Sequence, residues 1–388
     1  MTADMDLTRL TTRQIAAAVA AREVSAVEVI EAHLARIDAV NPRLNAVVMV
    51  LAESARQEAA ALDERLAAGE SPGPLCGVPV TVKANIDMAG LPTTQGVPAL
   101  AEALVPLDAP VVERVRAAGA IPIGRTNLPD MALRIHTDSS LYGLTRNPWN
   151  PERTAAGSSG GDAVAVATGM SALGLGNDIG GSLRSPASAC GIASIRPSAG
   201  RIPDAGFVPS EDPLFAAQVM FVQGPLARTV GDVRAALTAL AGAHPRDPWS
   251  LDQPLEVATS PPRRVAVVAE PPGGTTDPRV AAAVRAAGDR LAEAGYEVKE
   301  ITPPGYEDAL VAWMQLIMTD LASVMTQLRE VMGPDGLAFL EAVLAANPPL
   351  DAVGLSGVLV TRHRIARTWA KFFAEHALIL SPTWTQLP

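Results

Sequence analysis

The sequence is poor in cysteine, in aromatic residues and in positive charge. Its 388 residues include two cysteines, Cys76 and Cys190, and only 4% aromatics. Two thiols in so long a chain argue against a disulfide-stapled scaffold and read as reduced, packed side chains. With few aromatic rings, aliphatic side chains must close the core, and the alanine-rich runs suggest closely packed helices. Basic residues number 31 against 41 acidic, a formal net charge of −10. That balance argues against nucleic acid or an anionic membrane as the main partner. No apolar run approaches the roughly 20 residues of a membrane-spanning helix. Residues 1–22 carry acidic groups and an amphipathic pattern, not the basic head and apolar run of a signal peptide. A cytoplasmic enzyme is the expectation.

What is present is a large apolar content, 48%, with 31 glycines and 33 prolines, ample for one large domain. Ser25 and Glu28 fit a helix-capping box, followed by Val27, Ile30, Leu34 and Ile37 at helical spacing. A second helix is predicted over 52–68, ending at Gly69. The texture then changes: 78–82 reads as a short strand with Lys83 at its end. Helix 111–118 and strand 120–123 continue an alternation that predicts an α/β fold around a buried sheet. Residues 243–264 read as a linker, 265–268 as a strand, and a helix starts at Asp277 with Pro278 in its first position and stops at Gly295. Helices are predicted over 313–332, which is rich in methionine, and over 338–346. The predicted organisation is a single domain with an N-terminal helical segment (about 1–70), a catalytic core (71–240), the linker (243–264) and a C-terminal part (265–388).

Three segments carry chemistry. They are Gly77-Val78-Pro79-Val80-Thr81-Val82-Lys83, Gly157-Ser158-Ser159-Gly160-Gly161 and Asp178-Ile179-Gly180-Gly181-Ser182. A serine hydroxyl attacks an amide only once something removes its proton. A lysine can do this when neutral, and burial at the end of an apolar strand favours the neutral amine. Consecutive backbone N–H groups at Ile179, Gly180, Gly181 and Ser182 can converge on an oxyanion, because glycine permits unusual φ/ψ. The middle segment also fits G-x-S-x-G, which would make Ser159 a nucleophile, but that motif needs an apolar strand before it. Asn147-Pro148-Trp149-Asn150-Pro151-Glu152-Arg153 cannot form one. A phosphate loop is excluded because no Gly-Lys-Ser/Thr follows the glycines.

The ordered set, with Lys83 75 positions before Ser158 (158 − 83) and Ser158 24 before Ser182 (182 − 158), resembles the amidase-signature family. The resemblance runs from about the first helix to the end of the chain and is densest over 75–203. It implies an amidase-signature fold, a mixed β-sheet core covered by helices on both faces, with Ser182 as nucleophile, Ser158 as bridging serine after a cis peptide at Gly157, and Lys83 as base. It further implies a backbone oxyanion hole at residues 179–182, with Gly157, Ser159, Asp178 and Arg184 in supporting positions and Arg196 beside them. No metal and no cofactor is called for. The expected substrate is a small amide, ester or carbamate, with water as acyl acceptor and a homodimer left open; His136 reads as a substrate-site residue or an ordinary surface or core histidine, and Trp313 and Met318 read first as helix core and second as pocket lining. A glutaminase-type subunit of an amidotransferase and a noncatalytic binding protein on the same scaffold are the alternatives. The chain departs from the family pattern at Asp162, where many members have serine, at Asn177 in place of threonine, and at Arg196 in place of lysine. Members usually continue beyond the strand at 377–383, so the C-terminal part is expected to be short of the full family core.

Overall fold

A computed structural model describes residues 6–256 and 263–388. The chain divides into two compact units, one formed by 1–255 with 329–339 and 388, the other by 256–328 with 340–387.

The first unit is built on a six-stranded mixed sheet. Its strands are β1 (Val47–Val50), β2 (Pro79–Lys83), β3 (Ile121–Thr126), β4 (Leu173–Asp178), β5 (Ala193–Ser194) and β6 (Val222–Ala227), in the order β1-β3-β2-β4-β6-β5. Strand β2 runs parallel to both β3 and β4, while the outer pairings are antiparallel. Parallel central strands are covered on both faces, which is why β2, β3, β4 and β6 are buried at every position. Helices flank the sheet. Helix α1 (Thr12–Ala20) and α2 (Ala26–Leu44) open the chain, and the Ser25–Glu28 capping box forms as the sequence predicts. Helix α3 (Ala52–Ala67) packs on β3, α4 (Pro110–Ala117) leads into β3, and α5 (Gly160–Ala167) lies on β2 and β4. Helix α6 (Arg184–Cys190) follows β4. Cys76 and Cys190 are both buried and unbridged.

The close seat of α5 on the sheet depends on glycine. A Cβ at Gly161 would lie 2.5 Å from Asn127 N, and one at Gly176 on β4 would lie 2.6 Å from Ser159 Oγ. These absences of side chain let the start of α5 close on Asn127, just after β3, and let Ser159 and Leu183 close on β4.

The second unit carries a three-stranded parallel sheet of 264–267, 297–300 and 378–380, with 264–267 in the middle. Helix Pro278–Glu293 begins with Asp277 as cap and Pro278 in its first turn, as predicted. One prediction fails here. The helix expected over 313–332 is instead two, Tyr306–Ser323 and Met325–Val331, divided at Val324, whose φ of −115° and ψ of 11° leave the helical region. No proline or glycine marks that break, so apolar periodicity ran through it unseen. Of the predicted linker, 243–256 has neither helix nor strand, and 257–262 lies outside the described residues. Among the described residues no single helix is long and apolar enough to cross a membrane.

Candidate active site

Alternation along β2 puts Thr81 and Lys83 on one face and Val80 and Val82 on the other. Lys83 is wholly buried, and its Nζ lies 2.7 Å from Ser158 Oγ and donates at 2.7 Å to Asn177 Oδ1. Asn177, near the end of β4, is itself fixed, its Nδ2 donating to Asn85 Oδ1 at 2.9 Å. Burial drives the lysine amine well below the usual lysine range, against the opposing pull of Asp162 and Asp178.

The Gly157–Ser158 peptide is cis, as the family resemblance implies. Gly157 sits under the backbone of 134–136, where an added Cβ would lie 3.0 Å from His136 N. Ser159 is also buried, and it faces inward to structure: its N–H donates to Ser182 O at 3.1 Å and its Oγ to Asn177 O at 3.3 Å. Residues 147–153 form no strand, in keeping with the sequence argument against Ser159 as an elbow nucleophile. Through Ser159 the loop that carries Ser158 is tied directly to the turn that carries Ser182. Ser182 is part-exposed, between buried Gly181 and buried Leu183.

That turn is organised by Asp178. Its Oδ1 accepts from Gly181 N at 2.8 Å and its Oδ2 from Leu183 N at 3.0 Å. Arg184 adds a two-pronged contact, Nε at 3.0 Å and Nη2 at 2.9 Å, and Arg196 Nε stands 3.6 Å away. Burial alone would push this carboxyl up, but Arg184 and the two backbone donors hold it below the ordinary carboxylate range. Gly181 adopts φ of +121°, a conformation that favours glycine. The prediction of four converging oxyanion donors needs correction at one of them. The Gly181 N–H is committed to Asp178, because a buried carboxylate at the end of β4 demands donors and this is the nearest.

Asp178→Asn is therefore expected to do two things. One acceptor oxygen becomes an NH2 facing backbone N–H groups, costing about 3 kcal/mol of stability and about 10²-fold in turnover as the turn loosens. The sign with pH follows from the lowered carboxyl: its stabilisation is present above about pH 4 and is lost as pH falls through the folded value. Denaturant melts from pH 7 to pH 3 check this, with the variant lacking that acid-side decline.

Among the other residues singled out from sequence, His136 is half-buried, with Nδ1 2.8 Å from Thr154 Oγ1, and its backbone borders Gly157. Trp313 and Met318 belong to the second unit, on helix Tyr306–Ser323, where Met318 is buried and Trp313 part-buried. Sequence reasoning undervalued Asn177, treated only as a departure from threonine, and missed Asn85. The spacing of Asn85, two residues after Lys83, was its only signal. Among the described residues no three His, Cys, Asp or Glu side chains gather as a metal site.

A family model described as Amidase matches residues 28–388. Indoleacetamide hydrolase from Bradyrhizobium diazoefficiens is 43% identical over 373 residues, 95% of this chain and 71% of that protein. A glutamyl-tRNA(Gln) amidotransferase subunit from Acidothermus cellulolyticus is 40% identical over 352 residues, 88% of this chain and 68% of that one. Among solved structures, a bacterial aryl acylamidase of the amidase-signature enzymes superposes with a TM-score of 0.86 at 27% identity, covering 98% of this chain and 80% of its own. A family model over residues 28–388, a relative 43% identical over 95% of the chain and the fold shared with a solved amidase-signature enzyme make this protein a member of the amidase-signature family of hydrolases.

Proposed function

We propose that the chain hydrolyses carboxylic amides through an acyl-enzyme on Ser182, with Lys83 as base and Ser158 passing protons between them. The observation that carries this reading is the contact of a wholly buried amine with Ser158 Oγ at 2.7 Å. A neutral amine there has a lone pair for the Ser158 proton. Ser182 Oγ then bonds to the substrate carbonyl carbon as its own proton moves to Ser158. The tetrahedral oxyanion is met by backbone N–H groups of the 179–182 turn, those of Gly180 and Ser182 among them, while Asp178 and Arg184 hold the turn. Collapse expels the amine, which takes back the proton from Lys83 through Ser158. Water adds to the acyl-enzyme by the same relay and releases the acid. His136 is assigned to the rim of the substrate site because its backbone covers Gly157.

The same machinery suits esters and carbamates, since each presents a carbonyl and a leaving group. A substrate panel separates them: indole-3-acetamide, an anilide, an aryl ester and an aryl carbamate. Indoleacetamide and anilide enter because relatives are named for these activities. The expected result is turnover of primary arylacetamide and anilide at least 10-fold above carbamate. Turnover confined to the ester would contradict an amidase. A second reading, an ammonia-supplying glutaminase subunit, is favoured by the 40% identity to the amidotransferase relative. Glutamine hydrolysis that appears only when partner subunits are added would replace the first reading with this one.

A further inference from the structure

Lys83 can take a proton from Ser158 only if the lone pair of its neutral amine points at that hydroxyl, and something must set this aim. A neutral amine has two N–H groups and one lone pair. Among the described residues its Nζ forms two hydrogen bonds, with Ser158 Oγ and with Asn177 Oδ1, each at 2.7 Å. The carboxyls that face it bond elsewhere. Asp162 on α5 accepts from Thr81 Oγ1 at 3.1 Å, and Asp178 accepts from the backbone of Gly181 and Leu183 and from Arg184. The second partner of the amine is therefore a side-chain amide.

An amide oxygen only accepts, so an N–H turns to it and never the lone pair. A hydroxyl at this position, the threonine of the family pattern, has a proton of its own to give and can occupy the lone pair. An amide turned end for end would do the same through its Nδ2. Asn85 holds the amide against that flip. Its Oδ1 accepts from Asn177 Nδ2 at 2.9 Å, while its own Nδ2 donates to Asn177 Oδ1 at 3.4 Å. Asn85 is placed by the chain itself. Strand β2 ends at Lys83, and Ile86 N–H donates to Lys83 O at 2.9 Å, so Asn85 stands third in a four-residue turn begun by the lysine. Buried Arg125 on β3 braces both ends of this turn, its Nη2 donating to Lys83 O at 3.3 Å and to Ile86 O at 2.7 Å. Asn177 is 1% exposed, and its backbone is held in register with Gln223 on β6 whatever its side chain does.

We propose that Asn177 and Asn85 form a two-amide clamp across the ends of β2 and β4, which presents a fixed acceptor to Lys83 and so aims its lone pair at Ser158. Both are positioning residues that act on the reaction through Lys83. The inference rests on the reading of Lys83 as base. Two consequences follow from the geometry. Loss of the Asn177 oxygen removes an acceptor that favours the ammonium form, so the amine loses its proton at lower pH. The amine is then neutral over a wider range and yet less active, because its aim is lost.

Asn177→Leu, which matches the amide in shape, tests both in the full chain. With 13C-labelled lysine the Lys83 signal is readily isolated, because the chain has three lysines and Lys299 and Lys371 are exposed. Its titration is expected to move down by about one pH unit, the acid limb of kcat/KM to move down with it, and the plateau above that limb to fall about 10²-fold. An unmoved titration in the folded variant, or a moved limb with an undiminished plateau, overturns the clamp. A moved titration with an unmoved limb upholds the contact and refutes Lys83 as base. Asn85→Ala is expected to lower kcat about 10-fold with KM within about 2-fold, and to add nothing further in the Asn177→Leu background. Losses that multiply in the double variant overturn the proposal. Should Asn177→Leu not fold, Asn85→Ala decides alone, and a wild-type kcat overturns it.

Discussion

Ser182→Ala is expected to abolish amide turnover, lowering kcat/KM by at least about 10⁴-fold, on the order of 5.5 kcal/mol of transition-state stabilisation. The loss is large because the acyl-enzyme cannot form and no other hydroxyl takes its place. Ser158 is next to the amine but buried, and Ser159 is buried with its Oγ donating to Asn177 O. The substitution leaves the fold untouched, since the turn depends on the Ser182 carbonyl accepting from Ser159 N–H and on Asp178, not on the Ser182 hydroxyl. Melting within about 1 kcal/mol of wild type is therefore expected alongside the lost activity. Ser159→Ala is the control. It removes one hydrogen bond to Asn177 O and should retain most turnover, whereas a nucleophile at Ser159 would reverse the two results.

The second large effect is at Lys83. Lys83→Met keeps the length of an apolar stem on β2 and removes the base, so a loss of about 10³- to 10⁴-fold in turnover is expected, with folding kept. The accompanying pH dependence has a definite sign. Burial lowers the folded-state affinity of the amine for protons, so above its folded pKa the unfolded chain binds more protons than the native one. Wild-type stability should rise with pH through that window, up to the ordinary lysine value near 10.4. In Lys83→Met that alkaline rise should vanish. Urea melts between pH 7 and pH 10 measure it, and an identical slope in both proteins would mean that Lys83 is not held neutral by the fold.

The fold was legible where local chemistry fixes it. The Ser25–Glu28 capping box, the strand ending at Lys83 and the Asp277–Pro278 helix start are each set by a few adjacent residues. The three segments of the candidate site were legible as an ordered set, and the turn at 178–182 by its glycines. What escaped was settled across the sheet. Nothing near Asp162 in sequence shows that its carboxyl reaches Thr81, 81 residues away. Asn177 reads as a polar replacement until β4 is laid beside β2 and its oxygen meets Lys83 Nζ. The commitment of Gly181 N–H to Asp178 was hidden for a related reason: glycine patterning reveals that donors can converge, not which acceptor they choose.

A fluorophosphonate probe tests the central claim most directly, because it reports the activated serine without requiring the substrate to be known. After reaction with the full chain, peptide mass spectrometry is expected to find a single adduct, on Ser182. Labelling should disappear in Ser182→Ala and slow about 10³-fold in Lys83→Met. An adduct on Ser159, or turnover of amides by a protein that no probe labels, would contradict the account.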